Sequence, residues 1–246
     1  MSVDYNHSQN LHTLEGPKAA LPMLFPEGLP KSIMDVGCGT GTWLRAAMDL
    51  GATDVFGIDG VNIPANQLLI EPQRFQRCDL TAPIDLNRRF DAVFCLEVAE
   101  HLDAQHAVEL IQTLTRHSDL IFFSAACPGQ DGQHHVNCQW PIYWQQLFNE
   151  SGYVCEDAVR WQIWDDRRIE PWYRQNMFLA RRDASLARRE PRIKAVLHPE
   201  MLSSITPEGD RFGNHVRQIE NGRMRLTWYL KTPVRACFEK LKRHLT

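Results

Sequence analysis

The stretch SIMDVGCGTGTWL, residues 32–44, decides the architecture. It opens as a short strand-like run that carries one acid, Asp35. Its middle sets Gly37, Gly39 and Gly41 at alternate positions, and its end starts an amphipathic pattern that closes at Gly51. A strand that leaves through glycines into a helix is the first half of a βαβ unit, and the missing side chains let the backbone turn tightly and approach a ligand. The spacing is G-x-G-x-G. The dinucleotide fingerprint needs its last glycine where Thr42 stands, and the Gly-Lys-Ser/Thr of a phosphate-binding P-loop is absent.

The same grammar continues outward. DVFGID (54–59), FQRCDL (75–80), DAVFCL (91–96) and DLIFFSA (119–125) read as strands. Residues 103–116 show a helical face of Ala104, Ala107, Val108, Ile111 and Leu114, and PIYWQQLFNESG (141–152) reads as a helix closed by Gly152. YVCEDAVRWQIW (153–164) and NMFLARR (176–182) are expected as two further strands at the late edge of the sheet. The expected fold is therefore α/β and Rossmann-like: a doubly wound, seven-stranded, mainly parallel sheet with an antiparallel edge strand, plus a helical C-terminal appendage. Residues 1–31 form a proline-punctuated lead-in whose His7, Asn10 and His12 are placed to act as a lid. Residues 32–182 form the main domain, and 183–246 a basic, mainly helical extension.

Bulk properties agree with one enzyme-sized core. The 246 residues are 43% apolar, which supports a sizeable interior. Seven cysteines without a C-x-x-C pair argue against a disulfide framework, and the polar N-terminus has no signal-like apolar region, so a cytoplasmic location is expected. The net charge of −3 hides an asymmetry: residues 1–180 hold 12 Lys/Arg against 23 Asp/Glu, and 181–246 hold 15 against 7. The acidic motif-bearing half disfavours a nucleic-acid partner. The last stretch, 232–246, is amphipathic and suits docking on the body or peripheral contact with a membrane surface; an oligomer is also compatible with the sequence.

In a doubly wound sheet the carboxyl ends of the strands line one crevice. That edge collects Gly37–Gly41, Asp59 at the end of the second run and Asp79 at the end of the third. It also collects Glu97 at the end of the fourth. A turn of helix over 97–101 would put Glu97, Glu100 and His101 on one face, with His134 and His135 arriving from a later loop. Two carboxylates and two imidazoles suit a divalent cation without selecting one. Two other readings stay open: a solvated ion pair at a helix start, and a metal-free general base at His135.

The series DVGCGTG, GID, CDL and FDAVFCLEVAEHL resembles the class I S-adenosylmethionine-dependent methyltransferase family over roughly residues 32–182. The resemblance implies that Asp35 and the loop of Gly37, Gly39 and Gly41 face the methionine part of S-adenosylmethionine. It implies that Asp59, with Gly60 beside it, holds the ribose, and that Asp79 and Leu80 meet the adenine. E-x-x-E-H followed by a later loop histidine also resembles metal-dependent 2′-O-methyltransferases of small RNA ends. Carried over, Glu97, Glu100, His101 and His135 are metal ligands, with Mg²⁺ first and Mn²⁺ or Zn²⁺ as alternatives, and Glu97, His101 and His135 are the catalytic set. LEVAEHL…PGQ…HHVNCQWPIYW further resembles methyltransferases of bacterial polysaccharide biosynthesis and glycan modification, which implies acceptor contacts at His134, Trp140 and Trp144. The expected activity is O-methylation of a saccharide or glycan hydroxyl. An RNA 2′-O-methyltransferase and a non-catalytic nucleotide-binding module are the alternatives.

Overall fold

In a computed structural model, the structure describes residues 13–202. By its contacts the chain divides into two units, 1–201 and 202–246. The lid positions His7, Asn10 and His12 and the amphipathic stretch 232–246 lie outside the described residues.

Seven strands form one sheet: β1 (Ser32–Val36), β2 (Asp54–Asp59), β3 (Phe75–Arg77), β4 (Ala92–Leu96), β5 (Leu120–Ser124), β6 (Tyr153–Glu156) and β7 (Phe178–Arg182). Their order across the sheet is β3-β2-β1-β4-β5-β7-β6. β1 to β5 are mutually parallel, and β7 runs antiparallel to both β5 and β6, so the antiparallel pairing is confined to the late edge. All of β4 and all but the first residue of β1 and β5 are buried, as strands covered on both faces must be.

Among the described residues six α-helices cover the faces: α1 (Glu15–Leu24), α2 (Thr42–Asp49), α3 (Ala107–His117), α4 (Pro141–Glu150), α5 (Ala158–Ile163) and α6 (Pro171–Asn176). One core joins α1, α2, α5 and α6 to the sheet through Leu21, Trp43, Phe94, Phe122, Ile163 and Tyr173. The other joins α3 and α4 through Leu110, Leu114, Phe123, Trp144, Phe148 and Phe178. Each fully buried aromatic or aliphatic side chain contributes about 1.5–3 kcal/mol relative to exposure. Among the described residues no helix is long and apolar enough to cross a membrane.

Three local expectations are corrected. The run 153–164 is not one strand: β6 stops at Glu156, and α5 turns Val159, Arg160 and Ile163 inward at helical spacing. Val108 is exposed, and Leu110 takes its place on the buried face of α3. No helical turn spans 97–101. Glu97 sits at φ +56, in the left-handed region, and only Ala99–His101 forms a short 3-10 turn.

Between β7 and residue 201 the chain stays tied to the sheet and its helices. The Glu190 carboxylate accepts hydrogen bonds from Gln145, Asn149 and the Cys155 amide. Arg174, buried, donates to the carbonyls of Ile169 and Trp164 and to Glu200, and its guanidinium meets the His198 ring.

Candidate active site

The glycine loop leaves β1 with Gly37, Gly39 and Gly41 all at positive φ (77°, 52° and 86°), a conformation that side chains disfavour. Gly37 is needed for a second reason: a Cβ there would lie 2.3 Å from Cγ2 of Val98, the residue just before the 99–101 turn. The amides of Gly37 and Cys38 both donate to the Ile58 carbonyl, which locks the loop to the end of β2. There Asp59 accepts from the Gly39 amide at 2.8 Å through Oδ2 and from the Val61 amide at 2.8 Å through Oδ1.

Asp35, on the neighbouring strand, is 3% exposed and has no cationic partner among the described residues. Burial, and then the charge of Asp59, push its carboxyl up to about 8. Two buried acids beside a cradle of bare backbone fit a ligand that brings positive charge. Gly60 continues the same edge, where an added Cβ would lie 3.8 Å from the Cys78 carbonyl oxygen, an ordinary van der Waals contact. Asp79 lies past the end of β3; it is exposed and caps its own turn through the Thr81 amide and hydroxyl, while Leu80 beside it is buried.

On the strand paired with β1, β4 ends at Leu96 and the Glu97 amide donates to the Ser124 carbonyl. The Glu97 carboxylate is clamped by two amides: Gln130 donates to Oε2 at 2.9 Å and Asn176 to Oε1 at 3.1 Å. Its other neighbour is the Glu100 carboxyl. Burial raises Glu97 to about 7, against the relief supplied by Asn176, Ser124 and Gln130. Glu100 is fully buried, and neither carboxylate oxygen meets a well-aligned donor among the described residues, with the amides of Glu100 and Ala126 near enough to relieve it only in part. Burial first, and the facing Glu97 second, push it well above the ordinary range. Two carboxyl groups so close and so dry can share a proton or a cation; they cannot both stay charged alone.

The two imidazoles come from different segments. His101 follows Glu100 on the 3-10 turn, and its Nδ1 meets the His134 carbonyl at 3.4 Å. His135 is delivered because the amides of Val136 and Asn137 both donate to the Glu100 carbonyl, which pins that loop over the turn. Its Nδ1 faces the Gln130 carbonyl at 3.0 Å, and Gly132 leaves the space its ring occupies. A carbonyl can only accept, so the proton of His135 belongs on Nδ1 and its Nε2 keeps a lone pair, and His101 likewise donates to a backbone carbonyl. Burial and the neighbouring His135 lower His101 to about 4, and burial lowers His135, so both rings are neutral at pH 7. The rings lie 5.1 Å apart, and Glu100, His101 and His135 each offer a ligand atom within 4.8 Å of the others. One carboxylate with two orphaned oxygens and two neutral imidazoles are a donor set that fits a divalent cation.

Of the four residues assigned to a metal from the sequence, three converge, and Glu97 stands behind Glu100 in its amide clamp. His134 is exposed at φ +53 on the rim, and Trp140 is half-buried at the start of α4. Trp144 is corrected: it is 1% exposed and packs on Phe123 and Tyr143, so it offers no face to an acceptor. Sequence reasoning missed Gln130, Gln175 and Asn176, which are distant from Glu97 in the chain and carry no local signal.

The profile of a family described as a methyltransferase domain matches residues 10–176. No curated protein matches the chain. Among solved structures, the sugar N-methyltransferase KedS8 from a Streptoalloteichus species superposes with a TM-score of 0.54 at 16% identity, covering 72% of this chain and 91% of that one. DesVI of Streptomyces venezuelae gives 0.53 at 13% identity, covering 68% and 92%. The methyltransferase domain of bacterial CtHen1-C gives 0.50 at 16% identity, covering 70% and 100%. These likenesses carry the fold. With its glycine loop, its strand order and a profile match over more than half of its length, the chain belongs to the methyltransferase domain family.

Proposed function

We propose that the chain is an S-adenosylmethionine-dependent O-methyltransferase that acts on a sugar or glycan hydroxyl with the help of a divalent cation. The observation that supports this reading is the convergence of Glu100, His101 and His135 just after β4, next to the loop that leaves the neighbouring strand β1, where Gly37 abuts Val98 and Asp59 holds Gly39. Gly37–Gly41, Asp35 and Asp59 would hold the methyl donor, whose sulfonium supplies a methyl group already activated for transfer. A cation on Glu100, His101 and His135 would supply alignment of the acceptor hydroxyl and a lowered pKa.

The chain's own part is then positional. Asp59 steadies the loop through the Gly39 amide, and the buried acids Asp35 and Asp59 favour a cationic donor over its neutral-sulfur product. With Nδ1 given to the Gln130 carbonyl, His135 has one lone pair, on Nε2, which can hold the cation or take a proton but not both; with the cation in place the acidified hydroxyl would release its proton to solvent as the new C–O bond forms and the C–S bond breaks. His134, exposed, and Trp140, half-buried, would contact the acceptor.

A sugar N-methyltransferase among the fold neighbours makes an amino sugar the competing acceptor. The test is transfer of labelled methyl to a panel of neutral sugars, amino sugars and a short RNA, each with and without chelator. Labelling of hydroxyls that stops with chelator supports the proposal. Labelling confined to amines or RNA, or unaffected by chelator in metal-stripped protein, replaces it.

A further inference from the structure

The clamp on Glu97 is built from side chains that neither bind the glycine loop nor belong to the cation cluster. Asn176, at the end of α6, is 3% exposed; its Nδ2 donates to Glu97 Oε1 at 3.1 Å and to Gln130 Oε1 at 2.9 Å. Gln130, 7% exposed in the loop after β5, donates its own Nε2 to Glu97 Oε2. The orientation of Asn176 is itself determined. Gln175 Nε2 donates to Asn176 Oδ1 at 3.2 Å and to Cys127 Sγ at 3.1 Å, and Gln175 Oε1 accepts from the His198 amide at 2.8 Å. Because Asn176 Oδ1 is taken as an acceptor, its NH₂ must face Glu97.

Three buried amides thus form a directed chain that starts at the backbone of residue 198 and ends on one carboxylate. Such an arrangement exceeds what packing needs. A buried carboxylate is satisfied by one or two donors from any direction, whereas here both oxygens are fixed in a single rotamer at left-handed φ. The rotamer matters because Glu97 is the group that faces Glu100, and Glu100 has no other side chain to orient it.

We infer that Asn176 and Gln130, with Gln175 behind them, are positioning residues that hold Glu97 against Glu100 and so keep Glu100 turned toward His101 and His135 for a divalent cation. The inference rests on the cation reading of the site. Amide donors that orient a carboxylate at a metal change metal affinity by about 10–100-fold when removed. Gln130 holds Oε2, and Asn176 holds Oε1 with a longer contact to Oε2 at 3.4 Å and also donates to Gln130, so removal of either amide tests the same coupled clamp. Loss of either leaves the glycine loop, Asp35 and Asp59 untouched.

The experiment measures Mn²⁺ binding to the full chain by paramagnetic resonance, in the wild type and in Asn176→Leu and Gln130→Met, with thermal unfolding and S-adenosylhomocysteine affinity measured alongside. The expected result is a Mn²⁺ dissociation constant raised about 10-fold or more in each folded variant, with nucleoside affinity within twofold of wild type. A purely structural role predicts instead that the unfolding midpoint and nucleoside affinity fall together while Mn²⁺ binding in the remaining folded protein is unchanged. Gln130→Met, in a loop, keeps the test open should Asn176→Leu fail to fold. Wild-type protein that binds no Mn²⁺ overturns the cation reading and this inference with it. Wild-type binding left intact in the folded variants overturns the inference alone.

Discussion

Asp59 and Gly39 are joined by a hydrogen bond of 2.8 Å from the glycine amide to the carboxylate Oδ2, so the end of β2 and the loop after β1 are one unit before any ligand arrives. The second oxygen holds the Val61 amide, and the carboxylate therefore spans two backbone segments. Asp59→Ala removes two charge-assisted bonds, which are worth about 1.5–3 kcal/mol each. We expect a lower unfolding midpoint and at least a tenfold loss of S-adenosylhomocysteine affinity by calorimetry. Asp59→Asn, which keeps an acceptor oxygen for one amide, should recover part of the stability and little of the affinity. Wild-type affinity in folded Asp59→Ala would remove this residue from the ligand site.

Gly37 couples the loop to the turn that carries Glu100. A methyl group there meets Val98 at 2.3 Å and forces a side chain into φ +77. Gly37→Ala should cost about 1–2 kcal/mol for the left-handed conformation and about 1–3 kcal/mol for the overlap. Only the second part is relieved by Val98→Ala. A double-mutant cycle in denaturant should therefore return a favourable coupling between the two changes. Strict additivity would mean that the loop and the turn are energetically separate.

Much of this was legible in the sequence, for identifiable reasons. β1, β4 and β5 are buried on both faces, and a strand of that kind must be a nearly continuous apolar run, which is how SIMDV, DAVFCL and DLIFFSA read. The convergence of Glu100, His101 and His135 was legible because it needs only a strand end and one returning loop. α5 was not. Its six residues carry Val, Trp and Ile, whose intrinsic preference is for strands, and what makes them helical is packing of Val159 and Ile163 beneath the sheet, a tertiary fact. The left-handed Glu97 was invisible too, since nothing local marks a glutamate for φ +56. Its clamp comes from residues 33 and 79 positions away.

Asp35 should make the ligand-free protein pH-sensitive. Its folded-state value of about 8 stands above the ordinary 3.8, so between those pH values the folded chain holds a proton that the unfolded chain has lost. Stability from this group is fully present below the lower value and declines as pH rises through the upper one, by up to about 1.4 kcal/mol per pH unit. Glu97 and Glu100 tilt the profile the same way, so the difference between wild type and Asp35→Asn isolates this contribution. Thermal unfolding from pH 5 to 9 should show Asp35→Asn gaining on wild type as pH rises. A constant offset across that range would show that Asp35 is ionised throughout.

Trp144 and Trp140, four residues apart, should separate cleanly. Trp144 is enclosed by Phe123 and Tyr143, and its Nε1 has no hydrogen-bond partner among the described residues, so Trp144→Phe loses no hydrogen bond and leaves a modest cavity. It should lower the unfolding midpoint by a few degrees, in line with a loss of about 1–2 kcal/mol, and leave the acceptor KM unchanged. Trp140→Ala, at the half-buried start of α4, should raise the acceptor KM with little loss of stability. The reverse pattern would place the acceptor on the other side of the helix.

The cation reading meets its sharpest test at Glu100. Both of its oxygens are buried without a side-chain donor among the described residues, an arrangement that costs stability unless a proton or a cation neutralises the carboxylate. If a cation completes the site, chelation should abolish turnover, lower the unfolding midpoint and spare S-adenosylhomocysteine binding, because the glycine loop and Asp59 take no part in the cluster. Glu100→Gln should then be more stable than wild type in chelator, since folding no longer has to protonate a buried carboxyl, and less stable than wild type in saturating Mg²⁺ or Mn²⁺, since it removes a ligand. That crossing of the two stabilities is specific to a cation site. A general base at His135 predicts a different outcome: metal-stripped enzyme turns over, the rate falls as pH drops through the lowered value of His135, and His135→Asn alone abolishes it. Full activity in metal-free protein, with Glu100→Gln more stable under every condition, would leave the two glutamates as a proton-sharing pair and assign the chemistry to the imidazole.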